Sequence, residues 1–110
     1  MSLFNPGFVH CPVTPFTRDN AVDYATYGKV LDFHLSNGAD ALALLMPQAE
    51  DISLTDIEQR EVLRFAIKHV KGRAPLIAHI SDPGTAIAVE RARYAAELGA
   101  AAIASRPPYF

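Results

Sequence analysis

Apolar residues along this chain fall into two alternating patterns. Short unbroken runs, Phe8–Val13, Ala41–Leu45, Pro75–Ile80 and Ala100–Ser105, read as strands buried on both faces. Between them lie segments with apolar positions three and four residues apart, the period of a helix with one buried stripe. The first predicted helix covers Tyr24–Ser36, with Asp23 as N-cap and Tyr27, Val30, Leu31, His34 and Leu35 on its stripe. The second covers Asp56–Val70. It opens on a capping box, Thr55 with Glu58 three residues on, and buries Val62, Leu63, Ala66, Ile67 and Val70. The third begins at Thr85, read as its cap, and ends at Leu98; Ala92, Ala95 and Ala96 give it a small face that can approach a sheet closely. Each helix stops at a glycine, Gly38, Gly72 or Gly99, with a strand soon after.

Strict alternation of strand and helix implies a parallel sheet with right-handed crossovers. Two architectures satisfy it: an open doubly wound sheet, or an arc of a (β/α)8 barrel. No glycine-rich phosphate loop follows the first strand, which lowers the odds on a nucleotide-binding open sheet. A complete barrel takes about 250 residues, and this chain has 110. The expectation is therefore a single partial domain, residues 1–110, α/β with four strands and three helices, the N-terminal part of something larger: an open sheet or the N-terminal portion of a TIM barrel.

The loop Met46–Leu54 is longer than the usual two to six residues of a βα connection. Loops at the C-terminal ends of parallel strands carry the ligands in α/β folds, so the working surface is expected there.

Composition narrows the classes. A net charge of -2 and no basic stripe argue against nucleic acid and against an anionic membrane surface. The apolar runs are far shorter than the roughly 18 residues needed to cross a bilayer, and Met1–Phe8 lacks the charged start and apolar core of a signal peptide. Cys11, the one cysteine, has no partner within the chain and reads as core packing in a reducing, cytoplasmic setting. His10 and His34 read as packing or interface residues and His69 as surface. No histidine pair has metal-ligand spacing, so no metal is expected.

Several stretches, in order and with matching spacing, resemble the dihydrodipicolinate synthase/N-acetylneuraminate lyase family. They are Val13-Thr14-Pro15-Phe16-Thr17, Val22-Asp23, Phe33-His34-Leu35, Asn37-Gly38-Ala39-Asp40-Ala41, Glu50, Leu54-Thr55, Arg60, Lys71-Gly72-Arg73-Ala74-Pro75-Leu76-Ile77-Ala78 and Pro108-Tyr109. The resemblance implies a (β/α)8 barrel, a homo-oligomer (dimer or tetramer) and a class I aldolase mechanism. In that mechanism a lysine forms a Schiff base with pyruvate or another 2-keto acid, without metal or organic cofactor. The lysine must be unprotonated to attack a ketone, hence held in a desolvated pocket. Lys29, Lys68 and Lys71 fall on predicted helices, so the reactive lysine is expected beyond Phe110 and no catalytic residue in this chain.

The chain departs from the family's pattern at three places. Where members carry Gly-Thr-Thr-Gly-Glu to hold the keto-acid carboxylate, it has Met46-Pro47-Gln48-Ala49-Glu50. Where many have Pro-Tyr-Tyr, it has Pro108-Tyr109-Phe110, and phenylalanine cannot relay a proton. A small Gly-Thr-Gly run becomes His79-Ile80-Ser81. The substrate-binding candidates are Pro47, Gln48, His79, Tyr109 and Phe110. Glu50 is expected to hold the loop by accepting backbone N–H bonds, and Thr14 to close the loop after the first strand. These departures imply a divergent lyase or aldolase, not a true dihydrodipicolinate synthase; the alternative is a non-catalytic barrel that binds a keto acid or serves as a regulatory or interaction module.

Overall fold

The computed structural model describes residues 7–107. Four strands, β1 (Val9–His10), β2 (Ala41–Leu44), β3 (Leu76–His79) and β4 (Ala102–Ala104), alternate with α1 (Tyr24–Ser36), α2 (Asp56–Val70) and α3 (Thr85–Leu98). The strands are all parallel and lie in the order of the chain, β1-β2-β3-β4. A doubly wound sheet reverses its strand order at a switch point. This one never does, so it is an arc of a barrel.

Alternation along the strands explains the core. Leu42 and Leu44 on β2, and Leu76, Ala78 and Ile80 on and just after β3, pack with Tyr27 and Leu31 of α1, Val62, Leu63, Ala66 and Val70 of α2, and Ala95 of α3. Ala41, Ala43, Ile77 and His79 are the intervening positions and belong to the opposite, barrel-interior face. Register carries this across the sheet: Val9 stands beside Ala41, Ala43 beside Ile77, and His79 beside Ala104.

The helix ends follow the sequence at two of three starts. Asp23 accepts from the Thr26 N–H at 3.1 Å. The Thr55–Glu58 capping box is complete, with both reciprocal bonds made, at 3.1 and 2.9 Å. At α3 the expectation fails. Thr85 is already the first helical residue and Gly84 is the N-cap. The Asp82 carboxylate accepts from the Gly84 N–H at 2.8 Å, an Asx-type turn that takes over the task assigned to threonine. Ala95 is buried as expected, while Ala96 faces solvent and Ala92 is half-buried.

Strands β1 and β4 are shorter than their apolar runs. Each has a neighbour on one side only, and Pro12 and Pro15 after β1 have no N–H for a ladder. The chain past β1 instead forms a small loop, with Phe16 and Val22 bridged antiparallel. Lys71 lies beyond α2 as its C-cap, in the left-handed region at φ 50°. No described helix is long and apolar enough to cross a membrane.

Candidate functional site

Parallel strands bring four chain segments to one end of the sheet: residues after β1, the β2–α2 loop, the β3–α3 turn and the end of β4. The β2–α2 loop is the most structured of them. Leu45 leaves β2 with φ 60°, a left-handed conformation that costs a branched residue free energy. Two single 3₁₀ turns follow, Pro47–Ala49 and Asp51–Ser53. Glu50 joins them, also left-handed at φ 60° and ψ 41°. Proline begins the first turn, where its missing N–H is not needed. The turns close through the Ala49 N–H to the Met46 carbonyl at 2.7 Å, Glu50 to Pro47 at 3.1 Å, Ser53 to Glu50 at 2.9 Å and Leu54 to Asp51 at 3.2 Å.

Beneath this loop lies His79, 4% exposed, and beside it Asp51, 7% exposed. His79 Nδ1 is 2.9 Å from the Leu45 carbonyl oxygen and 3.4 Å from Asp51 Oδ2. A carbonyl only accepts, so Nδ1 carries the proton. The other nitrogen, Nε2, is then a bare acceptor, buried and without a hydrogen-bond partner among the described residues. Burial pushes the His79 pKa below the ordinary histidine value, and the nearby Asp51 carboxylate and Leu45 carbonyl oppose that shift. The imidazole is therefore neutral at pH 7. The Gln59 amide on α2 donates to the Asp51 carbonyl at 2.9 Å, fixing the second turn to the helix.

Pro47 and Gln48 are exposed on the first turn, between Leu45, which His79 holds, and Asp51, which it lies against. Glu50 is exposed too, and its carboxylate accepts no hydrogen bond among the described residues. Asp51 and the turn's own backbone hold the loop where Glu50 was expected to, because the left-handed Glu50 backbone turns its side chain to solvent. Thr14 is buried past the end of β1, and its hydroxyl has no partner among the described residues. Tyr109 and Phe110 lie outside the described residues. The structure thus joins His79 to the loop of Pro47 and Gln48.

Asp51, Gln59 and Arg91 carry much of the local geometry and went unread in the sequence. A lone aspartate after a glutamate has no pattern to mark it. Gln59, one turn into α2 and able to reach back to loop carbonyls, offered the only hint. A cleft of about 260 Å³ opens beside the loop, lined by Asp51, Gln59, Ser81, Asp82 and Arg91 among others. Its charges are internally balanced. Arg91 Nη1 donates to the Ser81 carbonyl at 3.0 Å and lies 3.5 Å from Asp82, while Arg91 Nε lies 3.6 Å from Asp56. The Arg106 backbone N–H donates to Ser81 Oγ at 2.6 Å, tying the end of β4 to the β3–α3 turn. Among the described residues no three His, Cys, Asp or Glu side chains stand close enough to hold a metal.

The sequence profile of the dihydrodipicolinate synthetase family matches residues 5–110. A 4-hydroxy-tetrahydrodipicolinate synthase of Caldicellulosiruptor bescii is 38% identical over 110 residues, which is 100% of this chain and 37% of that protein. The dihydrodipicolinate synthase of Aquifex aeolicus superposes with a TM-score of 0.90 at 34% identity, over 94% of this chain and 35% of that one. A prophage protein of the dihydrodipicolinic acid synthase family from E. coli, solved in complex with pyruvate, superposes with a TM-score of 0.89 at 27% identity, over 93% of this chain and 34% of that one. The chain spans little more than a third of the length of these relatives.

Proposed function

Because this chain belongs to the dihydrodipicolinate synthetase family, we propose that it supplies the first strands, as a single partial domain, of a barrel lyase of the class I aldolase type. Its substrate is pyruvate or another 2-keto acid, bound as an imine on a lysine outside these 110 residues. The observation that carries this reading is the β2–α2 loop. It stands at the C-terminal ends of parallel strands laid down in barrel order, where such folds place their ligands.

The chemistry divides between the absent amine and this loop. The amine attacks the ketone, water leaves and a C=N bond forms, provided the amine is desolvated enough to be neutral. The adjacent carboxylate must be held by donors while this happens. The Ala49 and Glu50 N–H groups are already spent inside the first 3₁₀ turn. Gln48, exposed and carrying an amide NH2, is the side chain left to meet the carboxylate, with Pro47 shaping its approach.

A glutamine reaches farther than a threonine and offers no hydroxyl proton. With Phe110 in the position of a relay tyrosine, this favours a lyase or aldolase on a larger or less acidic keto acid over the synthase reaction. The same replacements favour a second reading, a barrel that binds a keto acid without turning it over. Either protein works as a homo-oligomer, dimer or tetramer, in the cytoplasm, without metal or cofactor.

The test is to incubate the full-length protein with pyruvate and with longer 2-keto acids, reduce with borohydride and measure intact mass. An adduct of the reduced imine supports the lyase and identifies the acid. No adduct with any acid, together with saturable binding of one of them, supports the silent barrel.

A further inference from the structure

His79 ties down the loop where it leaves β2 and lies against the point where its second turn begins, beyond Pro47 and Gln48. Its Nδ1–H donates to the Leu45 carbonyl at 2.9 Å, at the residue whose left-handed φ of 60° starts the loop. The same nitrogen lies 3.4 Å from the Asp51 carboxylate, which opens the second 3₁₀ turn. Asp51 is held in turn by the Gln59 amide through its carbonyl. We propose that His79 is a positioning residue: by its hydrogen bond to the Leu45 carbonyl, made beside the buried Asp51, it fixes the turn that presents Gln48 to the substrate carboxylate. This rests on the keto-acid reading above, but the clamp itself is a statement about the loop alone.

The physical argument is one of strain and span. Leu45 sits in a region of backbone space that branched residues avoid, and such conformations persist only when surroundings over-determine them. A buried hydrogen bond to the carbonyl of that residue is the over-determining contact. Without it the Leu45 carbonyl would be left unsatisfied near the core or would rotate out, and the first turn would rotate with it. A side chain in this position must be short, planar and able to donate from its near nitrogen. Asparagine places an amide N–H about where histidine places Nδ1, and glutamine places one about where histidine places Nε2.

The full-length protein and its H79L, H79N and H79Q variants separate the possibilities. Hydrogen exchange is read at the Ala49, Glu50, Ser53 and Leu54 amides, with α1 amides as the control for global unfolding. Exchange in the loop is expected to rise about tenfold in H79L and H79Q and to stay near the parent rate in H79N. Equal loop protection in H79N and H79Q, or unchanged protection in H79L, overturns the clamp. The second readout is imine trapping with pyruvate. The concentration giving half-maximal trapping should rise about tenfold in H79L and recover in H79N, while the rate at saturation changes less than about twofold. A loosened loop with unchanged half-saturation overturns the link to the carboxylate. No adduct in the parent protein overturns the keto-acid reading instead, and the exchange result still decides the clamp.

Discussion

Two histidines in this chain are kept neutral by their surroundings, each through burial first. For His79 the burial lies under the β2–α2 loop. For His34 on α1, burial is joined by the nearby His10, whose Nδ1 is 3.0 Å from His34 Nδ1. Two nitrogens at that distance share one proton, one donating and the other accepting. A second proton between these nitrogens would turn one ring into a cation, break the bond and set two N–H groups against each other, with ring centres 5.1 Å apart. The folded pKa values of His34 and His79 lie below the unfolded value of about 6.5. The neutral forms therefore stabilise the fold above about pH 6.5, and that contribution is lost as pH falls through the folded values. The urea midpoint should drop between pH 7.5 and 5.5, and His34→Gln should make the drop shallower. A profile equally steep in the variant would remove the pair from the explanation. Thr55→Ala, which deletes the capping box at α2, should cost about 1 kcal/mol of stability by denaturant titration. The box was legible because both its members are spaced along the chain. The His79–Asp51 contact was not, because its partners are brought together only by the loop's two left-handed residues.

At the scale of elements, the helices could be read closely from the sequence because a stripe and a terminal glycine mark each of them, with a side-chain cap besides at α1 and α2. The outer strands could not. Their extent depends on how many neighbours they pair with, and β1 shrinks to two residues where the apolar run covers six. The contact between α1 and α2 shows a further feature that periodicity misses. Gly28 sits mid-helix, where alanine would normally add about 1 kcal/mol of helix propensity. A Cβ there would meet His69 Cε1 at 3.0 Å. His69 cannot easily yield, since its Nε2 is bonded to Asp32 at 3.0 Å and its ring stacks on Phe65 at 5.6 Å. Overpacking of this kind costs about 1–3 kcal/mol. Gly28→Ala should thus lower the thermal midpoint, and a rise would show that His69 swings aside at little cost.

The fold is as compact as a domain of its size, with a radius of gyration of 13.4 Å against about 13 Å expected. Its exposed apolar residues are thus set by topology and not by loose packing. Ile103, 50% exposed, pairs in register with Ala78, whose side is the helix-covered one. Among the described residues no helix covers Ile103. Val9, 51% exposed, stands beside Ala41 on the opposite, interior face. The sheet therefore presents two unpaired edges, β1 and β4, each with an uncovered branched residue. Edges of that kind pair with other chains unless charged, bulged or covered. Residues 1–110 expressed alone should therefore elute from gel filtration as associated species, in proportions that rise with concentration. Ile103→Lys places a charge on the β4 edge without touching the helix-packed core, and it should shift elution toward the monomer. A monodisperse, cooperatively folding monomer of the unmodified 110 residues would instead mean that these edges are satisfied within the chain, and that the arc needs no further strands to stand on its own.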